Sequence, residues 1–156
     1  MLSLDIPGYK TLEIQHVLLD YNGTLAEDGE LLPGVDTMLM RLAKDFELHV
    51  LTADTFGRCK LAMDGLPVNI HILKTPPEDE AKILYARNLG ARNCACLGNG
   101  RNDRLMMAAC ALGICVLGTE GASVHAMNAA DIVVPNVIKG LELLLQPKRI
   151  EATLRN

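Results

Sequence analysis

Six short apolar runs, each bounded by Gly, Asn, Asp or Pro and spaced by segments of helical length, constrain this chain more than any other feature. They fall at residues 15–20, 47–52, 68–73, 93–97, 113–117 and 131–134. Runs this short and this apolar suit parallel strands buried on both faces. Between them lie helical patterns. Val35, Met38, Leu39 and Leu42 fall at i, i+3, i+4 and i+7, one core-facing stripe, with Pro33 just ahead. Residues 78–89 begin with acids and stop before Gly90, as the helix dipole and a C-terminal stop favour. Further helices are expected over 102–110, with Asn102 as its cap, over 122–128, and over 137–145, closed by Pro147. Strand and helix in alternation predict an α/β fold, a Rossmann-like three-layer αβα core around a mostly parallel sheet. The segments LSLDI and KTLEI flank Pro7-Gly8, so a short N-terminal β-hairpin should precede that core.

A chain of 156 residues suits one domain with one hydrophobic core. Its net charge is −4, and its Lys and Arg are scattered, which argues against a nucleic-acid partner. The longest uncharged apolar stretch, 105–118, contains Gly113 and is shorter than the ~20 residues of a membrane-spanning helix. The start, MLSLDIPG, has no basic segment ahead of an apolar one, so a signal peptide is not expected. Cys59, Cys94, Cys96, Cys110 and Cys115 are odd in number and lie in apolar surroundings, which fits reduced thiols in a cytoplasm. Cys94 and Cys96 form CxC, but with no second Cys/His pair nearby they read as buried strand residues.

In such sheets ligands gather beyond the carboxyl ends of the strands. After the first strand come Asp20, Asn22, Gly23 and Thr24, and after the second Thr52, Ala53 and Asp54. Beyond the third, early in the next helix, comes Lys82; after the fourth come Gly98, Asn99, Gly100, Arg101, Asn102 and Asp103. Singly, each has a plain role: Asp20 can cap a turn, Thr52 can end a strand, Lys82 can sit in solvent, and Asp54 can hold a loop. Asp103 also suits the first turn of its helix. Together, in this order, they are the inventory of phosphoryl transfer: a nucleophile, oxygens for a divalent cation, and cationic and hydroxyl groups for the phosphoryl oxygens.

DYNGTL resembles the DxDGT or DKTGT nucleophile motif of the haloacid dehalogenase (HAD) superfamily. LTAD resembles its LTGD segment, PEDEAK supplies its lysine, and GNGRND followed by LMMAA resembles GDGxND and the apolar helix after it. The later ALGICVLGTEGASVHAMNAADIVV resembles the tail of the phosphorylation domain of P-type ATPases and of their small soluble relatives. The resemblance spans roughly residues 15–145. It implies that Asp20 is the nucleophile and forms an aspartyl-phosphate. It implies a Mg²⁺ cofactor held by Asp20, the Asn22 carbonyl, Asn99 and Asp103. Gly23, Thr24, Thr52 and Ala53 would bind phosphoryl oxygens, and Lys82 would neutralise charge between them and Asp20.

Two positions depart from that pattern. Many HAD phosphatases have a second Asp where Asn22 stands; it protonates the leaving group and then activates water. A positioned acid/base contributes roughly 10²–10⁴-fold, and an amide cannot shuttle a proton. Slow hydrolysis, or substrates with good leaving groups such as acyl phosphates, is therefore expected. Asn99 replaces an acid against Mg²⁺, so weaker metal binding is expected.

No cap domain fits between Thr24 and Thr52 or between Thr52 and Lys82, where there is room for one helix and one strand each. The expected site is open, serving a phosphorylated substrate, either macromolecular or an acyl phosphate, or covered by a second copy or a protein partner. The leading expectation is a cytoplasmic, single-domain, capless Mg²⁺-dependent phosphohydrolase. The alternatives are a non-catalytic or phospho-accepting regulatory module and a structural subunit.

Overall fold

The computed structural model describes residues 1–54, 57–74 and 77–156. Its main sheet has six parallel strands: β3 (His16–Asp20), β6 (Glu47–Thr52), β7 (Asn69–Ile72), β8 (Cys94–Gly98), β9 (Leu112–Val116) and β10 (Ile132–Val134). These are the six expected runs, with ends displaced by a residue or so. Their spatial order is β10-β9-β8-β3-β6-β7. The chain builds outward from β3 through β6 to β7, then returns to the other side of β3 and continues through β8, β9 and β10. The topological switch therefore lies between β3 and β8, and ligands bind at such a crevice in open α/β sheets.

Helices cover both faces. On one, α1 (Val35–Leu42) buries Val35, Met38, Leu39 and Leu42, the stripe read from the sequence, and packs beside α6 (Val137–Leu145). On the other lie α3 (Glu78–Leu89), α4 (Arg104–Ala109) and α5 (Val124–Ala129), over Leu18, Leu51, Cys94, Cys96 and Cys115. All five cysteines are free and buried, as the CxC reading expects of Cys94 and Cys96. The N-terminal hairpin pairs β1 (Leu2–Asp5) with β2 (Thr11–Ile14), which sinks Leu12 and Ile14 into the core. Among the described residues, no helix is long and apolar enough to cross a membrane.

One expectation needs correction, and the structure adds to others. Asn102 does not cap a helix over 102–110. Residues Arg101–Asp103 form a 3₁₀ turn, α4 starts at Arg104, and the Asn102 amide donates to Glu78 Oε2 at 2.7 Å. Pro147 does more than close α6: it opens α7 (Pro147–Leu154). Proline lacks an N–H and has a helical φ, so it suits the first helical position. A hairpin of two-residue strands, β4 (Ala26–Glu27) with β5 (Glu30–Leu31), follows the DYNGTL loop and is additional to the expected elements. Its signal is Asp28-Gly29, whose φ values of 50° and 82° are those of a primed turn. A further short helix, α2 (Cys59–Ala62), lies between β6 and β7.

Candidate active site

Asp20 is the last residue of β3, and Gly98 is the last of β8 beside it. The switch point thus brings the DYNGTL and GNGRND loops together. Asp20, Thr24, Thr52, Lys82, Asn99 and Asp103 are all buried there, although separate sequence segments supply them.

Lys82 organises the centre. It leaves the second turn of α3 fully buried, and its Nζ donates to Asp20 Oδ1 at 2.6 Å and to Asp103 Oδ1 at 2.7 Å. Burial alone would depress its pKa, but the charges of Asp20 and then Asp103 more than offset this and hold the ammonium above its ordinary value. Asp20 moves the other way. Burial first, then the Asp103 charge, push it up to about 7 against the pull of Lys82 and of the Thr24 hydroxyl. One ammonium between two buried carboxylates leaves a surplus negative charge when both are ionised.

The second loop is tied from within. Asp103 Oδ2 accepts from the Asn99 and Gly100 amides at 3.1 and 2.9 Å. The carboxylate lies against Gly98, where an added Cβ would meet it at 2.4 Å, so only glycine fits that strand end. With three donors and no exposed surface, Asp103 acts as an internal clamp.

Asn99 is oriented from outside. Its Nδ2 donates to Glu120 Oε1 at 3.0 Å and to the Gly121 carbonyl at 3.2 Å. Both amide protons are used, so Oδ1 must face inward, 3.4 Å from the Thr24 hydroxyl. Thr24 in turn donates to Asp20 Oδ2 at 3.0 Å. Glu120 is absent from the expected set. It follows β9, one strand beyond the four whose ends were read, yet its carboxylate lies over Gly23. A Cβ there would come within 1.7 Å of Oε1, and φ is +81°.

Gly23 and Thr24 make contacts other than those expected. The Gly23 N–H, expected to face phosphoryl oxygens, donates to the Ala26 carbonyl at 2.8 Å. The Thr24 hydroxyl is committed to Asp20 rather than open to an anion. Thr52 Oγ1 accepts from the Asp54 amide at 2.9 Å, which leaves its proton to donate. Asp54 itself accepts from the Cys59 amide at 3.0 Å, which is a loop-holding role. Ala53 is half-buried at the end of β6. Asn22 Oδ1 is buried with no hydrogen-bond partner among the described residues.

These groups fit a hard divalent cation. The inward oxygens of Asp20 and Asn99 share one contact in Thr24, and the surplus charge is negative. All-oxygen donors with uncompensated charge are what such a cation requires. Beside them, a cleft of about 390 Å³ is lined by Gly23, Thr24, Glu27, Val116, Gly118 and Glu120.

The fold is that of solved structures described as HAD-family hydrolases. The 3-deoxy-D-manno-octulosonate 8-phosphate phosphatase of Moraxella catarrhalis, solved with magnesium, phosphate and KDO, matches over 92% of this chain and 94% of its own, with a TM-score of 0.72 and 18% identity. A zinc-transporting PIB-type ATPase matches 79% of this chain and 20% of its own, with a TM-score of 0.61 and 25% identity. No protein-family model matches the chain. Two uncharacterised proteins of Methanocaldococcus jannaschii are similar in sequence. One is 45% identical over 60 residues, which are 38% of this chain and 64% of that protein. The other is 46% identical over 39 residues, which are 25% of this chain and 89% of that protein. The chain belongs to the same family as this second, shorter protein.

Proposed function

We propose that this chain is a single-domain, capless, Mg²⁺-dependent phosphohydrolase that works through an aspartyl-phosphate on Asp20. The observation that carries the reading is the buried Lys82 ammonium bonded at once to Asp20 and Asp103 at the switch point. The Moraxella phosphatase, which shares the fold and was solved with magnesium and phosphate, adds support.

In this reading Asp20, Asn99 and the Asn22 carbonyl hold the metal, with Asp103 bracing the loop behind them. When bound, Mg²⁺ would offset phosphoryl charge and favour the ionised form of Asp20. Thr24 and Lys82 each donate to one Asp20 oxygen and so fix the carboxylate plane. An Asp20 oxygen bonds to phosphorus as the bond from phosphorus to the leaving oxygen breaks, and that oxygen departs with the electron pair. Lys82 and the Thr52 hydroxyl face the charge that builds on the phosphoryl group. Water then attacks the same phosphorus, which frees orthophosphate and restores the carboxylate.

Asn22 neither protonates the leaving oxygen nor deprotonates water. Leaving groups that need no proton, such as the carboxylate of an acyl phosphate, are therefore favoured, and turnover is slow. The same absence supports a second reading, a phospho-accepting regulatory module in which the acyl phosphate persists. Five free, buried thiols suit a cytoplasmic setting.

The test is hydrolysis of acetyl phosphate and p-nitrophenyl phosphate across a divalent-metal panel, beside Asp20→Asn. Mg²⁺-dependent turnover lost in the variant supports the enzyme. Stoichiometric phosphorylation of Asp20 without turnover supports the module. Turnover that survives Asp20→Asn removes both.

A further inference from the structure

A second cluster of ligating groups lies on the same sheet face as Asp20 but at its opposite, amino edge. His16 and Glu47 open β3 and β6 and are in direct register, so both side chains leave one face together. His49 is two residues on from Glu47 and shares that face. His16 Nδ1 is 3.2 Å from His49 Nε2 and 3.5 Å from Glu47 Oε2, and all three ligand atoms lie within 4.8 Å of one another. Among the described residues this is the one such grouping of His, Cys, Asp and Glu.

From these contacts we infer that His16, His49 and Glu47 form a binding site for a divalent transition-metal ion, Zn²⁺ in the first instance, separate from the catalytic centre. The chemistry selects the ion. Two imidazoles and one carboxylate suit Zn²⁺, whereas Mg²⁺ takes oxygen ligands. The spacing from His16 agrees. Bonds of 2.0–2.1 Å in a tetrahedron put neighbouring ligand atoms about 3.3 Å apart, close to the 3.2 and 3.5 Å from His16 Nδ1 to the other two, and the exposed Glu47 carboxylate can turn to close the third side.

The surroundings complete the case. His49 is buried, and its Nδ1 lies 3.0 Å from Tyr85 Oη. When Nδ1–H donates to that oxygen, the lone pair is left on Nε2, facing the site, as outer partners of metal-bound histidines arrange. Glu47 is largely exposed, its side chain 70% accessible, so it can swing onto an ion and leaves the fourth position open to water. Cys94, beside His16 on the other strand flank, donates its thiol to the Gly90 carbonyl at 3.4 Å and stands apart from the group. Four strand steps separate His16 from Asp20, about 13 Å, so the two sites are distinct. Helix α3 serves both, with Lys82 at one and Tyr85, one turn later, at the other.

The test uses the whole chain, stripped with chelator and held in millimolar Mg²⁺ to occupy oxygen sites. Calorimetric titration with Zn²⁺ should show one equivalent bound with a rise in Tm. Co²⁺ should give the intense visible bands of a tetrahedral N/O site. His16→Ala and Glu47→Gln, both near the surface, should weaken or abolish the bands while circular dichroism stays unchanged. Tyr85→Phe should lower affinity about 10–100-fold. Asp20→Asn should keep the bands. The inference is overturned if the wild-type chain shows no Zn²⁺-dependent heat or Tm shift. It is equally overturned if His16→Ala binds Zn²⁺ like wild type, or if the bands vanish in Asp20→Asn.

Discussion

The Asn99 side chain donates to the Glu120 carboxylate at 3.0 Å, and that bond turns the Asn99 amide oxygen toward Asp20 and Thr24. A neutral residue is thereby held as an acceptor, never a donor, at the place where the site needs oxygen. Glu120→Ala frees the amide to rotate. The Mg²⁺ concentration for half-maximal acetyl phosphate hydrolysis should then rise about tenfold. Glu120→Gln keeps an acceptor and should stay near wild type; an equal loss in both variants would show that Glu120 acts by charge rather than by orientation.

Removing Lys82 strands two carboxylates in the interior. Lys82→Met should destabilise the fold by about 3–5 kcal/mol, the usual cost of leaving a buried charge unpaired, and should abolish turnover. Urea unfolding at pH 8 measures the first effect. A loss below about 1 kcal/mol would mean that water reaches this centre more freely than its burial implies.

Asn22→Asp introduces the missing acid at an oxygen position that is buried and, among the described residues, unpartnered. An acid there is pushed toward its protonated form, ready to donate to a leaving group. Hydrolysis of p-nitrophenyl phosphate should rise, by up to roughly 10²–10⁴-fold. An unchanged rate would sink the attribution of slow turnover to Asn22.

Without metal, Asp20 makes the fold pH-sensitive. Its folded pKa is raised to about 7, above the ordinary 3.8, so the native state binds more protons than the unfolded state between those values. Its stabilising contribution is complete below about 4 and is lost as the pH rises through about 7. In chelator, the stability of wild type relative to Asp20→Asn should therefore improve from pH 8 to pH 5. Parallel curves for the two proteins, measured by urea unfolding across that range, would contradict it.

The order of strands and helices was legible in the sequence because burial on both faces demands short continuous apolar runs, and each is local. The same holds for Asp20, Thr52, Lys82, Asn99 and Asp103, which lie at or just beyond the ends of those runs. The β4–β5 hairpin was not read, although Asp28-Gly29 is a turn signal; its two-residue strands are too short to show alternation. What the residues touch was not legible either. Whether the Gly23 amide faces a phosphate or the Ala26 carbonyl depends on how one loop folds back on itself. Whether Asn102 caps a helix or reaches Glu78 depends on a neighbouring element. Glu120 and the trio of His16, Glu47 and His49 became visible only when β9 and β6 took their places beside β8 and β3. Sequence periodicity reports which face is buried, whereas the partners of a side chain depend on which strands lie side by side, and that was settled by tertiary packing.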